Sequence, residues 1–258
     1  MSPLDKSVTR FSYPNYAPHH GYMSEIIQRK YITSAIEKKV LPIDAHRMRQ
    51  IVSLTASNDV TKPIQFWQLF SVLGQARIVR ILENFYKRVY DDEKWFRSVF
   101  AGIGGADHHV RTQSALWLDV MGGGLAYHGG EFRLNFHHTH NAIQLMNEKG
   151  AARWVKLMVE TLDDSSVHMT ADTRVRPSIN TFLTHFLGKY AADFQFKTSS
   201  VFGETNPQII RKINFMNMTS EAIEALTETE LRDALVGRGV DASQFHGKEE
   251  LVNKALNM

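Results

Sequence analysis

The chain has 258 residues, of which 43% are hydrophobic and 22% are charged, and its formal net charge is only +3. This composition is that of an ordinary globular protein, and the charge is too small to indicate nucleic-acid binding. No apolar run approaches the roughly 20 residues that cross a bilayer, and no secretory-signal pattern opens the sequence. We therefore expect no membrane span and a cytoplasmic or organelle-lumen location.

Cysteine is absent, and its absence excludes several kinds of site. Without thiolates there is no disulfide framework, iron-sulfur cluster, cysteine-rich zinc site, thiolate-ligated haem or cysteine nucleophile. Any metal must be bound by histidine, by carboxylates or by the ring nitrogens of a cofactor. The twelve histidines make the first of these plausible.

The first 65 residues carry nine basic and five acidic side chains, a net charge of +4. Apolar residues at helical spacing predict a surface helix over residues 23–40, and a weaker helix after Asp44. We interpret this region as a solvated helical extension, with a docking or lipid-surface role as the alternative. Pro63 marks its boundary.

An apolar stripe predicts a helix that starts near Gly74 and ends at Asp91 and Asp92. Tyr86 lies beside this stripe, where its hydroxyl either faces a ligand or is satisfied by a backbone carbonyl in the core. Phe100 follows on a short turn segment. The stripe consists of Ile78, Leu82, Phe85 and Val89.

The next predicted helix begins near Asp107 and repeats this spacing with His109, Gln113, Leu116 and Val120. Burial of an unpaired imidazole and amide is costly, so a polar group should face them. That group is either surface water or a bound diatomic ligand.

The histidine-rich run Phe-His-His-Thr-His extends a third helical stripe, formed by Phe132, Phe136 and His140. His137 lies beside His140, whereas His138 points about 200° away from it at the ~100° per residue of an α-helix. His137 and His140 could bind zinc with a third ligand, or one imidazole could bind haem iron.

Two further helices are predicted before residue 198. Asn147 caps the first, which carries Trp154, and a tryptophan at such a position is usually part of the core. Pro177 and Ser178 begin the second. Its apolar stripe consists of Phe182, Phe186, Tyr190 and Phe194.

The C-terminal region predicts a helical hairpin. Thr227 and Glu230 form a capping box before one helix, and Lys248–Leu256 forms the next. The pattern is similar to a SAP-type module, and many of these bind DNA. Residues 219–258, however, hold eight acidic and four basic side chains, which repel phosphate. We therefore expect protein docking here and no nucleic-acid binding.

Three motifs in the middle of the chain occur together in one family. They are Phe85–Phe96, which begins Phe-Tyr-Lys-Arg-Val-Tyr-Asp-Asp, the helix from Gln113 to Met-Gly-Gly with Tyr127 after it, and the helix Arg153–Asp164. In this order and spacing they resemble a truncated (2-on-2) haemoglobin of group II, nearest to the plant and algal branch. The resemblance covers about residues 68–196.

The resemblance implies haem b as the cofactor, with His140, thirteen residues after Tyr127, as the proximal iron ligand. Tyr86, Gln113 and Trp154 would form the distal hydrogen-bonding set, and His109 would stand at the distal gate. No residue is assigned a catalytic role. The implied haem contacts are Tyr86, Phe100, His109, Gln113, Leu116, Phe136, His140 and Trp154.

The chain departs from the family around the proximal ligand. Gly124 stands where the family has proline, and Thr139 precedes His140 where the family has arginine. His137 therefore competes with His140 as the iron ligand, and His138 competes to a lesser extent.

Three distal donors should slow ligand release, because hydrogen bonds to a charged acceptor contribute about 1.5 to 3 kcal/mol each. The expected function is reversible, high-affinity binding of O2, NO and CO, for sensing, scavenging or NO detoxification rather than transport. A reductase as electron donor would allow NO dioxygenation or peroxidase-like turnover, but the sequence does not establish that the protein is an enzyme. The alternatives are a haem-free globin-fold sensor or interaction protein and a histidine-ligated zinc protein.

The predicted fold class is all-α. Residues 66–198 form the 2-on-2 globin, residues 1–65 form a partly helical extension, and residues 199–258 form a linker and the SAP-like hairpin.

Overall fold

The computed structural model describes residues 16–38, 43, 53–124, 127, 130–164, 170–207, 213 and 215–258. These residues form helices and contain no β-strand, which confirms the all-α prediction. Within them, no helix combines the length and the apolar character that a membrane crossing requires. The helix predicted after Asp44 lies outside the described residues.

The chain forms two compact units. The first contains residues 1–31 and 48–207, and the second contains residues 32–47 and 208–258. The domain boundaries expected near residues 65 and 198 stay a prediction. The helices before residue 208 are α1 (Tyr22–Glu37), α2 (Leu69–Tyr90), α3 (Lys94–Ala101), α4 (Ala106–Leu118), α5 (Gly130–Phe136), α6 (Glu148–Asp163) and α7 (Val175–Asp193).

Helix α2 is central to the first unit and packs against α4 and α6. Its predicted apolar stripe is fully buried, as expected for a helix with neighbours along one face. The sequence predicted a start near Gly74, and the helix begins five residues earlier, at Leu69, with Gly74 at a kink where φ is +68°. Glycine adopts this left-handed conformation without the strain of a side chain.

Two π-helical turns adjoin the α-helices of this unit. The first, Asp119–Gly123, follows α4, and the second, His137–Asn141, follows α5. In the second turn the Ala142 amide donates to the His137 carbonyl, five residues back. Side chains after such a turn advance less around the axis than in an α-helix. The angular relations expected among the histidines therefore change here.

Two parts of the N-terminal region are hydrogen-bonded to helices or helix ends of the first unit. Asp119, which is fully buried, accepts hydrogen bonds at 3.1 Å from the Met23 and Ser24 amides in the first turn of α1. A carboxylate at this position satisfies amides that have no partner within the helix. Further along, the Arg174 guanidinium donates to the carbonyls of Ser57, Asp59 and Lys62. The segment from 57 to 62 is thus held beside the start of α7.

Helix α7 begins at Val175, three residues before the predicted Ser178. Pro177 lies within its first turn, where proline is tolerated because the amides there need no helical acceptor. The early start lengthens the apolar face that α7 presents to the interior.

The second unit has a small apolar core of its own. Its C-terminal part contains α8 (Ser220–Glu224), α9 (Glu228–Val236) and α10 (Lys248–Leu256), and α8 was not predicted. The predicted capping box is confirmed: the Glu230 amide donates to Thr227 Oγ1 at 3.2 Å, and the Thr227 amide donates to Glu230 Oε2 at 2.7 Å. The core consists of Phe215, Ile223, Leu231, Leu235, Ala242, Leu251, Val252 and Ala255.

Candidate functional site

A cavity of about 380 Å³ lies in the first unit, bounded by side chains of α2, α3, α4, α6 and α7 and of the segment from α5 to Met146. This volume is within the roughly 300–1,000 Å³ typical of small-molecule sites. Most lining side chains are aromatic or aliphatic, with a few polar groups among them. Of the residues predicted to contact a cofactor, Tyr86, Phe100, His109, Gln113, Leu116, Phe136 and Trp154 line the cavity.

Tyr86 and Gln113 form a hydrogen-bonded pair on the wall made by α2 and α4. The Tyr86 hydroxyl donates to Gln113 Oε1 at 2.6 Å. Burial raises the pKa of Tyr86 well above its ordinary value, so the phenol keeps its proton and remains a donor. Because Gln113 uses its oxygen as the acceptor, its amide group supplies the protons of this pair.

His109 is buried beside this pair and is held by two contacts. Its Nε2 donates to the Phe100 carbonyl at 3.0 Å, and its ring stacks on that of Tyr86 with centroids 5.3 Å apart. Burial lowers the pKa of His109, which favours the neutral imidazole. The residue predicted as a distal gate is therefore tied to the end of α3.

The opposite wall contains the histidine-rich π turn. His137 and His138 line the cavity, whereas His140 does not. The exposed His140 ring stacks on Phe136 at 4.1 Å, and its Nδ1 lies 3.1 Å from the Phe136 carbonyl. His140 thus keeps the predicted neighbour Phe136, but its ring lies outside the cavity that Phe136 lines. The expected role of His140 as iron ligand therefore gains no support from the geometry.

His138 has the features of an oriented imidazole. Its Nδ1 donates to the Leu134 carbonyl at 2.8 Å, which leaves Nε2 as the nitrogen with the lone pair. The ring also packs against Tyr190 of α7, with centroids 4.1 Å apart. Burial lowers the pKa of His138 to about 4, so the ring is neutral at physiological pH.

His137 is oriented differently from His138. The Asn141 amide nitrogen lies 3.5 Å from His137 Nδ1, a weak contact in which the ring nitrogen accepts. Burial lowers the pKa of His137, and the nearby imidazoles of His109 and His108 lower it further. His137 is thus the histidine of this turn whose pKa is affected by the imidazoles of α4.

The remaining walls are aromatic. Trp154 of α6 lines the cavity and packs against Phe85 with ring centroids 5.0 Å apart. From α7 come Phe182, Phe186 and Tyr190, which sequence analysis had treated only as an apolar stripe. Their i, i+4 spacing was the available signal, but it does not show whether a helix faces core or cavity.

The zinc alternative requires at least three ligands arranged around one point. Across the described residues, no group of three or more histidine, aspartate or glutamate side chains is placed to hold a metal ion. An iron porphyrin requires less of the protein, since its ring nitrogens supply four ligands and one axial imidazole completes the protein's share.

Comparison with known proteins agrees with this geometry. A family model described as Bacterial-like globin matches residues 68–187. Two-on-two hemoglobin-3 of Arabidopsis thaliana is 31% identical over 109 residues, which are 42% of this chain and 61% of the relative. Group 2 truncated hemoglobin 3-1 of Lotus japonicus is 32% identical over 99 residues, which are 38% of this chain and 58% of the relative. The chain thus spans about three fifths of the length of each of these relatives. Residues 68–187 thus match the bacterial-like globin model, and the proteins similar to this part of the chain include plant truncated haemoglobins of group 2.

Proposed function

We propose that the globin domain binds haem b in the 380 Å³ cavity and uses it to bind O2, NO and CO reversibly. The observation that supports the proposal most strongly is that two kinds of polar group line one largely apolar cavity. One wall offers an oriented imidazole, and the other offers the Tyr86–Gln113 hydrogen-bonded pair. Bound haem would supply an iron with one open axial position for a diatomic gas. A thioether link to the haem is excluded, since the chain has no cysteine.

We assign the axial ligand to His138 rather than to the originally expected His140. Metal-binding histidines almost always donate their second ring N–H to a carbonyl or carboxylate, which fixes both tautomer and orientation. His138 has this arrangement inside the cavity, through the Leu134 carbonyl. His140 has a similar bond but lies outside the cavity. His137 lines the cavity, yet its Nδ1 acts as an acceptor towards Asn141.

The residues on the distal side determine how long a gas ligand stays. Tyr86 orients the Gln113 side chain, whose amide N–H groups are donors in an otherwise apolar cavity. The Trp154 indole, which also lines the cavity, is a further donor. A hydrogen bond to a charged acceptor contributes about 1.5 to 3 kcal/mol, so two or more slow release by orders of magnitude. Slow release suits sensing, scavenging or NO detoxification better than oxygen delivery.

Turnover requires a source of electrons. With a reductase as the donor, NO dioxygenation is the reaction that a slowly released O2 favours. We assign the second unit to protein docking, because residues 219–258 have a net charge of −4, which disfavours nucleic acid.

The test is haem retention by single variants of the full chain. His138→Gly should lose stoichiometric haem and its strong absorption at the blue edge of the visible range, and added imidazole should restore the absorption by replacing the missing ligand. His140→Gly is the matched control and should keep haem, since its ring lies outside the cavity.

Three outcomes would overturn parts of this proposal. A colourless unaltered protein after haem is supplied would favour the haem-free sensor. Loss of haem in His140→Gly with retention in His138→Gly would restore the assignment made from sequence. Loss only in His137→Gly would transfer the ligand role to that residue.

A further inference from the structure

Two acidic residues after α2 and an arginine on α6 form a charged cluster that the proposed function leaves without a role. Arg153 Nε donates to Asp92 Oδ2 at 2.7 Å, and its Nη2 donates to Asp92 Oδ1, so the pair is bidentate. The Asp92 side chain is only 5% exposed and that of Arg153 is 20% exposed. A bidentate arginine–carboxylate pair fixes orientation as well as distance. The end of α2 is therefore held in a defined relation to the first turns of α6.

The next residue on α6 is Trp154, which lines the cavity. Its ring packs on Phe85, and Phe85 immediately precedes Tyr86 on α2. Helices α2 and α6 are thus joined twice: by the ion pair at Asp92 and by the aromatic contact at Phe85. On α6, the two contacts are made by adjacent residues, Arg153 and Trp154.

Glu93 extends the cluster to the start of α3. It accepts from Trp95 Nε1 at 2.7 Å and lies 3.2 Å from Arg153 Nη2. The Lys149 ammonium lies 4.1 Å from the centre of the Trp95 ring. Arg153 therefore connects α6 to the segment that leads from α2 into α3, and α3 carries Phe100 into the cavity wall.

We infer that Asp92 and Arg153 are positioning residues that fix the Trp154 side chain against the cavity and thereby slow the release of its diatomic ligand. This inference rests on the proposed haem function. Hydrogen bonds weaken steeply with misalignment, so a small rotation of α6 changes the contribution of the indole. Hydrogen bonding from Arg153 lowers the pKa of Asp92, so the pair is ionised at neutral pH.

The experiment measures O2 and CO release from the haem-loaded full chain. Asp92→Asn, and separately Arg153→Lys, which keeps the charge but loses the two-pronged geometry, should each speed O2 release by roughly three- to tenfold. CO release should change less, because distal donors act chiefly on a ligand that accumulates negative charge. In a Trp154→Phe background, the same two substitutions should have no further effect on O2 release.

Asp163→Asn is the matched control. It removes another aspartate–arginine contact of α6, the 2.9 Å pair with Arg176, at the far end of the helix from Trp154. O2 release in this variant should equal that of the unaltered chain. If the Asp92 and Arg153 substitutions acted only by loosening α6 in general, O2 release would become faster in Asp163→Asn as well.

The possible failures are distinguishable. Failure of the unaltered chain to retain haem overturns the proposed function. Retention of haem with unchanged O2 release in both Asp92→Asn and Arg153→Lys overturns the positioning role alone. Equal acceleration with and without the Trp154 indole also overturns it, because the ion pair would then act by another route.

Discussion

Tyr86 and Gln113 form a hydrogen bond, and its direction determines which of the two side chains has protons left to donate to a ligand. The Tyr86 hydroxyl donates its single proton to Gln113 Oε1, so the free donors of the pair are the Gln113 amide N–H groups. Gln113→Leu should therefore speed O2 release by roughly tenfold or more, the effect of losing a hydrogen bond of about 1.5 kcal/mol. Stopped-flow measurement on the haem-loaded protein checks this expectation.

Tyr86→Phe provides the comparison for that prediction. The variant keeps the ring that stacks on His109 and removes only the hydroxyl that orients Gln113. Its effect on O2 release should be smaller than that of Gln113→Leu. A larger effect would mean that the phenol contacts the ligand directly.

His109 should contribute to a loss of stability in mild acid. Burial lowers its pKa below the ordinary value of about 6.5. A group with a depressed pKa in the folded state stabilises above its unfolded pKa, and this contribution is lost as the pH falls through the folded value. The haem-free protein should therefore lose unfolding free energy as the pH falls below about 6.5, and His109→Gln should lose less. Urea unfolding at a series of pH values provides the measurement.

Part of the acid sensitivity should remain in His109→Gln. Burial also lowers the pKa values of His137 and His185, which lie on other elements of the same unit. Superimposable pH profiles for the variant and the unaltered chain would contradict the contribution assigned to His109.

The histidine-rich run at residues 137–140 illustrates what helical spacing can and cannot predict. Tyr86, Gln113 and Trp154 all line one cavity, as the family resemblance implied, whereas helical spacing alone was equally compatible with Tyr86 and Trp154 as core residues. The same spacing put His140 at the end of the Phe132–Phe136 stripe, and His140 does stack on Phe136, yet it is exposed and does not line the cavity. The structure also has a π turn at His137–Asn141, in which an amide bonds to the carbonyl five residues before it. Apolar spacing does not predict such a turn.

At the level of elements, Arg174 should be the residue on which attachment of the 57–62 segment depends. It pairs with Asp172, which is fully buried, and donates to three backbone carbonyls of that segment. Arg174→Ala would remove the guanidinium from the buried Asp172 carboxylate and from these three carbonyls. Removal of one partner from a buried ion pair costs about 3 kcal/mol or more, which urea unfolding of the haem-free protein would detect.

Arg80→Ala is the matched control for this prediction. Arg80 pairs with Glu83 at 3.0 Å, but both side chains are more than half exposed. Its loss should cost less than about 1 kcal/mol, as for other surface pairs. Equal costs for the two variants would show that the Arg174 network contributes little to stability.

Element boundaries were predictable where a local chemical signal marks them. The capping box at Thr227 and the helix Lys248–Leu256 were located from sequence, because both depend on residues within one turn of the boundary. The network around Arg174 was not predicted, since the three carbonyls to which it donates lie more than 110 positions away. Long-range hydrogen bonds of this kind follow from tertiary packing, which periodicity does not encode.

For the whole molecule, the two units have distinct apolar cores and should respond separately to damage. Leu235→Asp places a carboxylate in the core of the second unit, at a fully buried position. An unpaired buried charge is costly enough to unfold a small core. Haem absorption of the full chain should nevertheless be unchanged, while amide protection in α9 and α10 should be lost. Val236→Asp, at the adjacent, 56% exposed position, should change neither. If Leu235→Asp loses haem together with amide protection, then the second unit is required for the haem site, and its assignment as a docking module fails.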